Sequence, residues 1–246
     1  MSGRVIAVAS GKGGVGKTWL AITLAHALAA TGRRVLLFDA DFGLANLDVQ
    51  LGLAPAQDLS TVIAGRARAE AVVIRHAAGF DLLPGRAGSG QLAGLGGPAL
   101  EALLALPRQL AGQWQDVVVD LGAGVEAPQR RLAAAADLLL VLASEEPTSL
   151  TDAYAVLKLH AQDAPAAEAR LVVNLAASQA AGLHVHATLQ TAMRRFLQRD
   201  LLLGGILRRD PKVPDAIRHQ APLLTRHPGS PAARDVTALA RALLPG

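Results

Sequence analysis

Apolar residues run through this chain in short, nearly unbroken blocks, separated by longer stretches in which they recur every three or four positions. The blocks are RVIAVAS, RVLLFDA, FDLLPG, DVVVDLG, DLLLVLA, RLVVNLA and LLLGGIL. Blocks so short and so continuously apolar predict strands covered on both faces, the condition of a parallel sheet. The periodic stretches predict helices near 18–30, two between 59 and 76, then 98–110, 129–136, 149–162 and 184–199, with two more at the C-terminal end. The alternation predicts an α/β fold, a single-domain, doubly wound, mostly parallel sheet. The glycine-rich stretch 85–97 reads as a loop inside that domain, because β-α units continue on both sides of it.

The last helical stretch, 232–244, is amphipathic: Val236, Leu239, Leu243 and Leu244 form an apolar stripe with Arg234 and Arg241 beside it. Such a stripe suits a membrane surface, and packing on the helix's own domain explains the same spacing. Arg194, Arg195 and Arg199 raise a similar choice between a basic face and an ordinary solvated helix.

Composition narrows the core and the compartment. The 246 residues are 51% hydrophobic but only 3% aromatic, so Ala, Val, Leu and Ile must fill the interior. There is no cysteine, which excludes disulfides and thiolate metal sites. The first ten residues leave no room for a signal peptide, and no run of about 18 apolar residues follows. The expectation is a cytoplasmic protein. The net charge of +4 falls short of the basic footprint of a nucleic-acid binder, so nucleic acid is not an expected partner. His160, His184 and His186 lack accompanying ligands for a metal.

Of the four lysines, two lie in one segment, GKGGVGKT at residues 11–18, between a predicted strand and a predicted helix. The pattern G-x-x-x-x-G-K-[ST] in that context is a phosphate-binding P-loop. Gly11, Gly13, Gly14 and Gly16, with Val15, let the backbone N–H groups turn inward toward phosphate. Lys17 reaches the terminal phosphates, and the Thr18 hydroxyl is placed to ligate Mg²⁺. Lys12 lies outside the basic pattern; it is either a solvated loop lysine or a cation kept for an anion.

Two further strands end in aspartate at the same sheet edge, at Asp39 of DADFGLANLD and at Asp120 of DLGAG. Asp120 reads as a carboxylate organising Mg²⁺ through its water shell, and Gly122 and Gly124 as a turn that responds to the terminal phosphate. Asp39 and Asp48 also suit turn and capping positions. Asn174 closes RLVVNLA at this edge, where its amide offers a donor and an acceptor to a base.

The KGGVGKT run resembles the deviant Walker A motif of the MinD and ParA family, a SIMIBI-class group of P-loop NTPases. The resemblance implies ATP as the nucleotide and a homodimer formed with it, in which Lys12 crosses to the partner's nucleotide. It also implies that Asp41 orients the attacking water, that Asp39 joins the magnesium shell, and that Glu146 reaches nucleotide across the dimer. Asn174 would read the base, and the loop Arg208, Asp210, Pro211 would line it. Residues 39–53, DLGAG, EEPTSLTDAYAVLKL and GILRRDPKVPDAIRHQAPL resemble the FleN/FlhG branch, MinD-like ATPases that restrict flagellar number. That implies two partners, a FleQ-like flagellar transcriptional activator and an FlhF-like GTPase, and attachment at the inner membrane or cell pole. The alternative is a ParA-type DNA-partitioning ATPase. Trp19 departs from the family, which has a small polar residue after the P-loop threonine.

Overall fold

The structure is a computed structural model that describes residues 3–41, 45–85 and 97–244. The tip of the DADFGLANLD segment and most of the glycine-rich loop expected at 85–97 lie outside the described residues. Eight strands form one sheet: β1 (Arg4–Ala9), β2 (Val35–Ala40), β3 (Ile74–Arg75), β4 (Asp81–Leu83), β5 (Asp116–Leu121), β6 (Leu138–Ala143), β7 (Glu168–Ala176) and β8 (Leu202–Arg208). Their order is β3-β4-β2-β5-β1-β6-β7-β8. All pairings are parallel except β3 with β4.

Alternate residues of each strand feed two cores. Ala7, Phe38, Val119 and Val141 face one side, under helices Gly97–Leu110, Ala127–Ala135, Pro147–Asp163 and Gln179–Leu197. Ile6, Val8, Leu37 and Val118 face the other, under helices Lys17–Ala29 and Pro231–Ala242. Both faces are therefore dry, which is why the strands read as unbroken apolar blocks.

Capping explains where the helices depart from the periodic pattern. The Ser178 hydroxyl accepts a hydrogen bond from Ala181 N at 3.1 Å, so the expected 184–199 helix begins at Gln179. Pro147 starts its helix two residues before position 149. Between 59 and 76 there are two short helices, Leu59–Ile63 and Ala69–Val72, but the segment ends in the edge strand β3. A short helix at Leu47–Leu51 has no counterpart in the sequence reading, and the C-terminal region holds Lys212–Arg218 and Leu223–Arg226 as well as the final helix.

The final helix packs its stripe inward. Val236, Leu239 and Leu243 are buried against the helix Lys17–Ala29 side of the sheet. The face that the sequence offered to a membrane is part of the core. Among the described residues no helix is long and apolar enough to cross a membrane.

Candidate functional site

The site lies at the C-terminal ends of β1, β2 and β5, where the chain leaves the central strand β1 with neighbours on both sides, the usual ligand position of such sheets. β1 leads into the P-loop, where Gly14 and Gly16 adopt φ of +79° and +95°. The following helix, Lys17–Ala29, starts on Gly16 with no side-chain cap and no acidic residue in its first turn. Its free N–H groups and dipole therefore present an uncompensated positive end, and Lys17 adds a full charge while only 8% exposed. An anion belongs there.

The carboxylates face this positive end. Asp39 and Asp120 are register partners in β2 and β5, and both are buried. Asp39 accepts N–H bonds from Asp41 at 3.1 Å and Leu47 at 3.3 Å, yet burial and the Asp120 charge hold its pKa well above the usual range. Burial pushes Asp120 up to about 7, against the Lys17 charge and the Thr18 hydroxyl that favour its ionised form. Asp120 Oδ1 is buried and accepts no hydrogen bond. A close carboxylate pair with an orphaned oxygen is electrostatically short of a cation. Among the described residues no group of three His, Cys, Asp or Glu could hold a metal, so the donors present fit an ion that takes its other ligands from hydroxyl, water and phosphate. Asp41 lies on the rim, beside Gly122.

Lys12 is not a free loop lysine. Its Nζ donates to Glu146 Oε2 at 2.6 Å and to Thr148 Oγ1 at 3.0 Å, both at the start of helix Pro147–Asp163. The hydrogen bond from Lys12 lowers the Glu146 pKa. Two residues assigned by resemblance to a partner's nucleotide thus hold each other within one chain.

The remaining candidates surround an open cavity of about 370 Å³, lined by Trp19, Asn174, Leu175 and the loop from Arg208 to Pro211, with Val213 and Pro214. A bulge in β7 shapes it: the register with β8 slips between Val173 and Ala176, and Leu175 sits at φ +58°. Asn174 Nδ2 donates to Val15 O at 2.7 Å, tying strand to P-loop, while its Oδ1 is buried without a partner. Arg208 is engaged elsewhere, making two bonds to Asp235 at 2.7 and 2.9 Å. Asp210 accepts from Lys212 N and Ala232 N at 2.9 and 3.0 Å. These two side chains fix the shape of the loop; the wall itself includes Pro211 and the backbone.

Trp19, noted in the sequence only as a departure, forms the opposite wall, its Nε1 2.7 Å from where a Cβ on Gly16 would stand. Asp48 sits in the first turn of helix Leu47–Leu51, a local role. Of the three arginines near 194–199, Arg194 bonds Asp200, Arg195 lies over the exposed Phe196 ring, and Arg199 donates to Pro165 O.

The profile of a family described as the CobQ/CobB/MinD/ParA nucleotide binding domain matches residues 6–223. The chain is 37% identical over 238 residues, 97% of its own length and 85% of the relative's, to the antiactivator FleN of Pseudomonas aeruginosa. It is 32% identical over 179 residues to the flagellum site-determining protein YlxH of Helicobacter pylori, covering 73% of this chain and 60% of that one. Among solved structures it is similar to MinD of Pyrococcus horikoshii complexed with Mg-ADP, with a TM-score of 0.82 at 23% identity over 98% of this chain and 95% of that one. It is also similar to the Aquifex aeolicus MinC:MinD complex, with a TM-score of 0.76 at 27% identity over 99% and 98%.

Proposed function

The chain belongs to the CobQ/CobB/MinD/ParA nucleotide-binding family, and from that premise we propose that it is a Mg²⁺-dependent ATPase that dimerises with ATP and regulates flagellar number or placement. The observation that carries the chemistry is the pair of unbalanced charges at one sheet edge. The P-loop end of helix Lys17–Ala29 has no acidic side chain in its first turn to offset it, and of the buried Asp39 and Asp120 only Asp120 feels a neighbouring cation, Lys17. Mg-ATP would bring an anion to the first and a cation to the second. Residues 11–18 would cradle the phosphates, and Thr18, Asp39 and Asp120 would hold Mg²⁺, whose charge would offset that of the phosphates. The unpartnered Asn174 Oδ1 suits the amino group of adenine, with Trp19 and the Arg208–Asp210–Pro211 loop as walls.

Asp41 is the water-orienting carboxylate in this reading. Phosphoryl transfer asks mainly for positioning, so Asp41→Ala is expected to keep ATP binding and lose phosphate release by roughly 10² or more. Background-level release from wild type and variant alike would sink the hydrolytic reading, and equal release above background would remove Asp41 from this role.

The flagellar role is supported by similarity to FleN over nearly the whole chain and to YlxH. The partners in this reading are a FleQ-like transcriptional activator and an FlhF-like GTPase. Capture from a flagellated cell extract with ATP and with ADP tests it: recovery of neither class of partner, in either nucleotide state, rejects the assignment.

A further inference from the structure

Trp19, in the first turn of helix Lys17–Ala29, is only 7% exposed, and its indole lies against the P-loop. A Cβ on Gly16 would stand 2.7 Å from Trp19 Nε1 and 2.4 Å from Asn174 Nδ2. Glycine at this position, whose φ is +95°, is therefore also what lets the indole and the amide approach one point. The two side chains leave complementary groups unmet. Asn174 Nδ2 is committed to Val15 O at 2.7 Å, and Asn174 Oδ1 is buried with no donor. Trp19 Nε1 has no acceptor among the described residues, whereas the chain's other indole, Trp114, donates to Asp81 Oδ2 at 2.7 Å. A largely buried indole N–H ordinarily finds a partner, and leaving it unmet costs free energy. Both residues line the cavity of about 370 Å³, so its ligand faces one free donor and one free acceptor.

We propose that Trp19 is a specificity-determining residue for adenine, its Nε1–H donating to the purine N7 while Asn174 Oδ1 accepts from the neighbouring amino group, a role that rests on the ATP-binding reading above. An asparagine amide can match adenine by itself, its oxygen taking the amino group and its nitrogen donating to N7. Here that nitrogen is held by the P-loop backbone. The free donor beside it is the indole, which supplies the half of the recognition that the asparagine cannot. In an anti nucleotide the N7 edge of the purine lies on the side of the 5′-phosphates, and Trp19 stands in the first turn after the loop that would hold them. Guanine carries a carbonyl in place of the amino group, so its N7 edge presents acceptors alone and sets lone pairs against Oδ1.

The test measures, by calorimetry, dissociation constants of wild type, Trp19→Phe and Trp19→Leu for ADP, for GDP and for 7-deaza-ADP, in which a C–H replaces N7. Diphosphates keep turnover and ATP-driven dimerisation out of the affinities. Wild type is expected to bind 7-deaza-ADP about tenfold more weakly than ADP, the scale of one lost hydrogen bond with its N–H left unmet. It is expected to bind GDP weaker by roughly 10²-fold or more. Trp19→Phe keeps an aromatic wall without the donor; it is expected to bind ADP about tenfold more weakly than wild type and to hold ADP and 7-deaza-ADP alike. A Phe variant that still prefers ADP to 7-deaza-ADP by the wild-type factor overturns the proposal and leaves the indole a wall only. If Phe fails to fold, Leu carries the comparison. Wild type that binds GDP as tightly as ADP, or binds neither, would reject the adenine reading, and Trp19 with it. Wild type that refuses GDP yet binds ADP and 7-deaza-ADP equally would reject Trp19 alone.

Discussion

Single residues in this protein are often explained by what they lack. His160 is 5% exposed, and neither ring nitrogen has a hydrogen-bond partner. Burial lowers its pKa below the ordinary 6.5, with the Asp163 charge opposing. The folded chain therefore keeps His160 neutral where the unfolded chain takes up a proton. That makes its contribution to stability decline as pH falls through about 6.5. His160→Phe removes both orphaned nitrogens. The expected outcome is a thermal midpoint about 2–4 °C higher at pH 7, with the gap over wild type widening toward pH 5. A gap that narrows on acidification would show that His160 has a partner favouring its charged form.

At the scale of elements, the cavity proposed for the base depends on a helix that does not line it. Arg208 N donates to Asp235 Oδ2 at 2.9 Å, and the Arg208 guanidinium makes two further bonds to that carboxylate, which is 8% exposed in helix Pro231–Ala242. A bidentate pair with one partner buried holds geometry better than a free surface pair does. Asp235→Ala is expected to loosen the Arg208–Pro211 wall and weaken ATP affinity roughly tenfold, about 1.4 kcal/mol, while leaving kcat at saturating ATP near wild type. Unchanged affinity would mean that the wall keeps its shape without the helix. The same helix shows how one pattern serves two outcomes: a stripe of Val236, Leu239 and Leu243 suits lipid in isolation but is core here.

For the whole molecule the proposed dimer turns on how one chain would meet its copy. Lys12 spends its charge on Glu146, whose side chain is 67% exposed. Solvent screens such a pair, so a polyphosphate is a better partner and exchange costs little. Within the proposed dimer, Lys12→Ala is expected to keep nucleotide binding yet remain monomeric with ATP by light scattering. Dimerisation equal to wild type would remove Lys12 from the interface.

The P-loop, the strand blocks and the two strand-terminal aspartates were legible in the sequence, because each depends on neighbours a few positions away: glycine conformations, apolar runs and the turn at a strand end. Helix starts were misplaced where periodicity alone was followed, as at 184 in place of Gln179, because the Ser178 cap lies outside the apolar pattern. Long-range neighbours were not. Pairing of Lys12 with Glu146, 134 positions apart, closure of the cavity by Trp19, and the meeting of Asp41 with Gln129 over Gly122 arise from strand order and helix packing. Sequence alone thus determined what chemistry the chain can hold, since local backbone and side-chain types set it. Only the tertiary structure decided which groups share that chemistry and which apolar stripe faces inward, because contacts across the sheet leave no periodic trace along the chain.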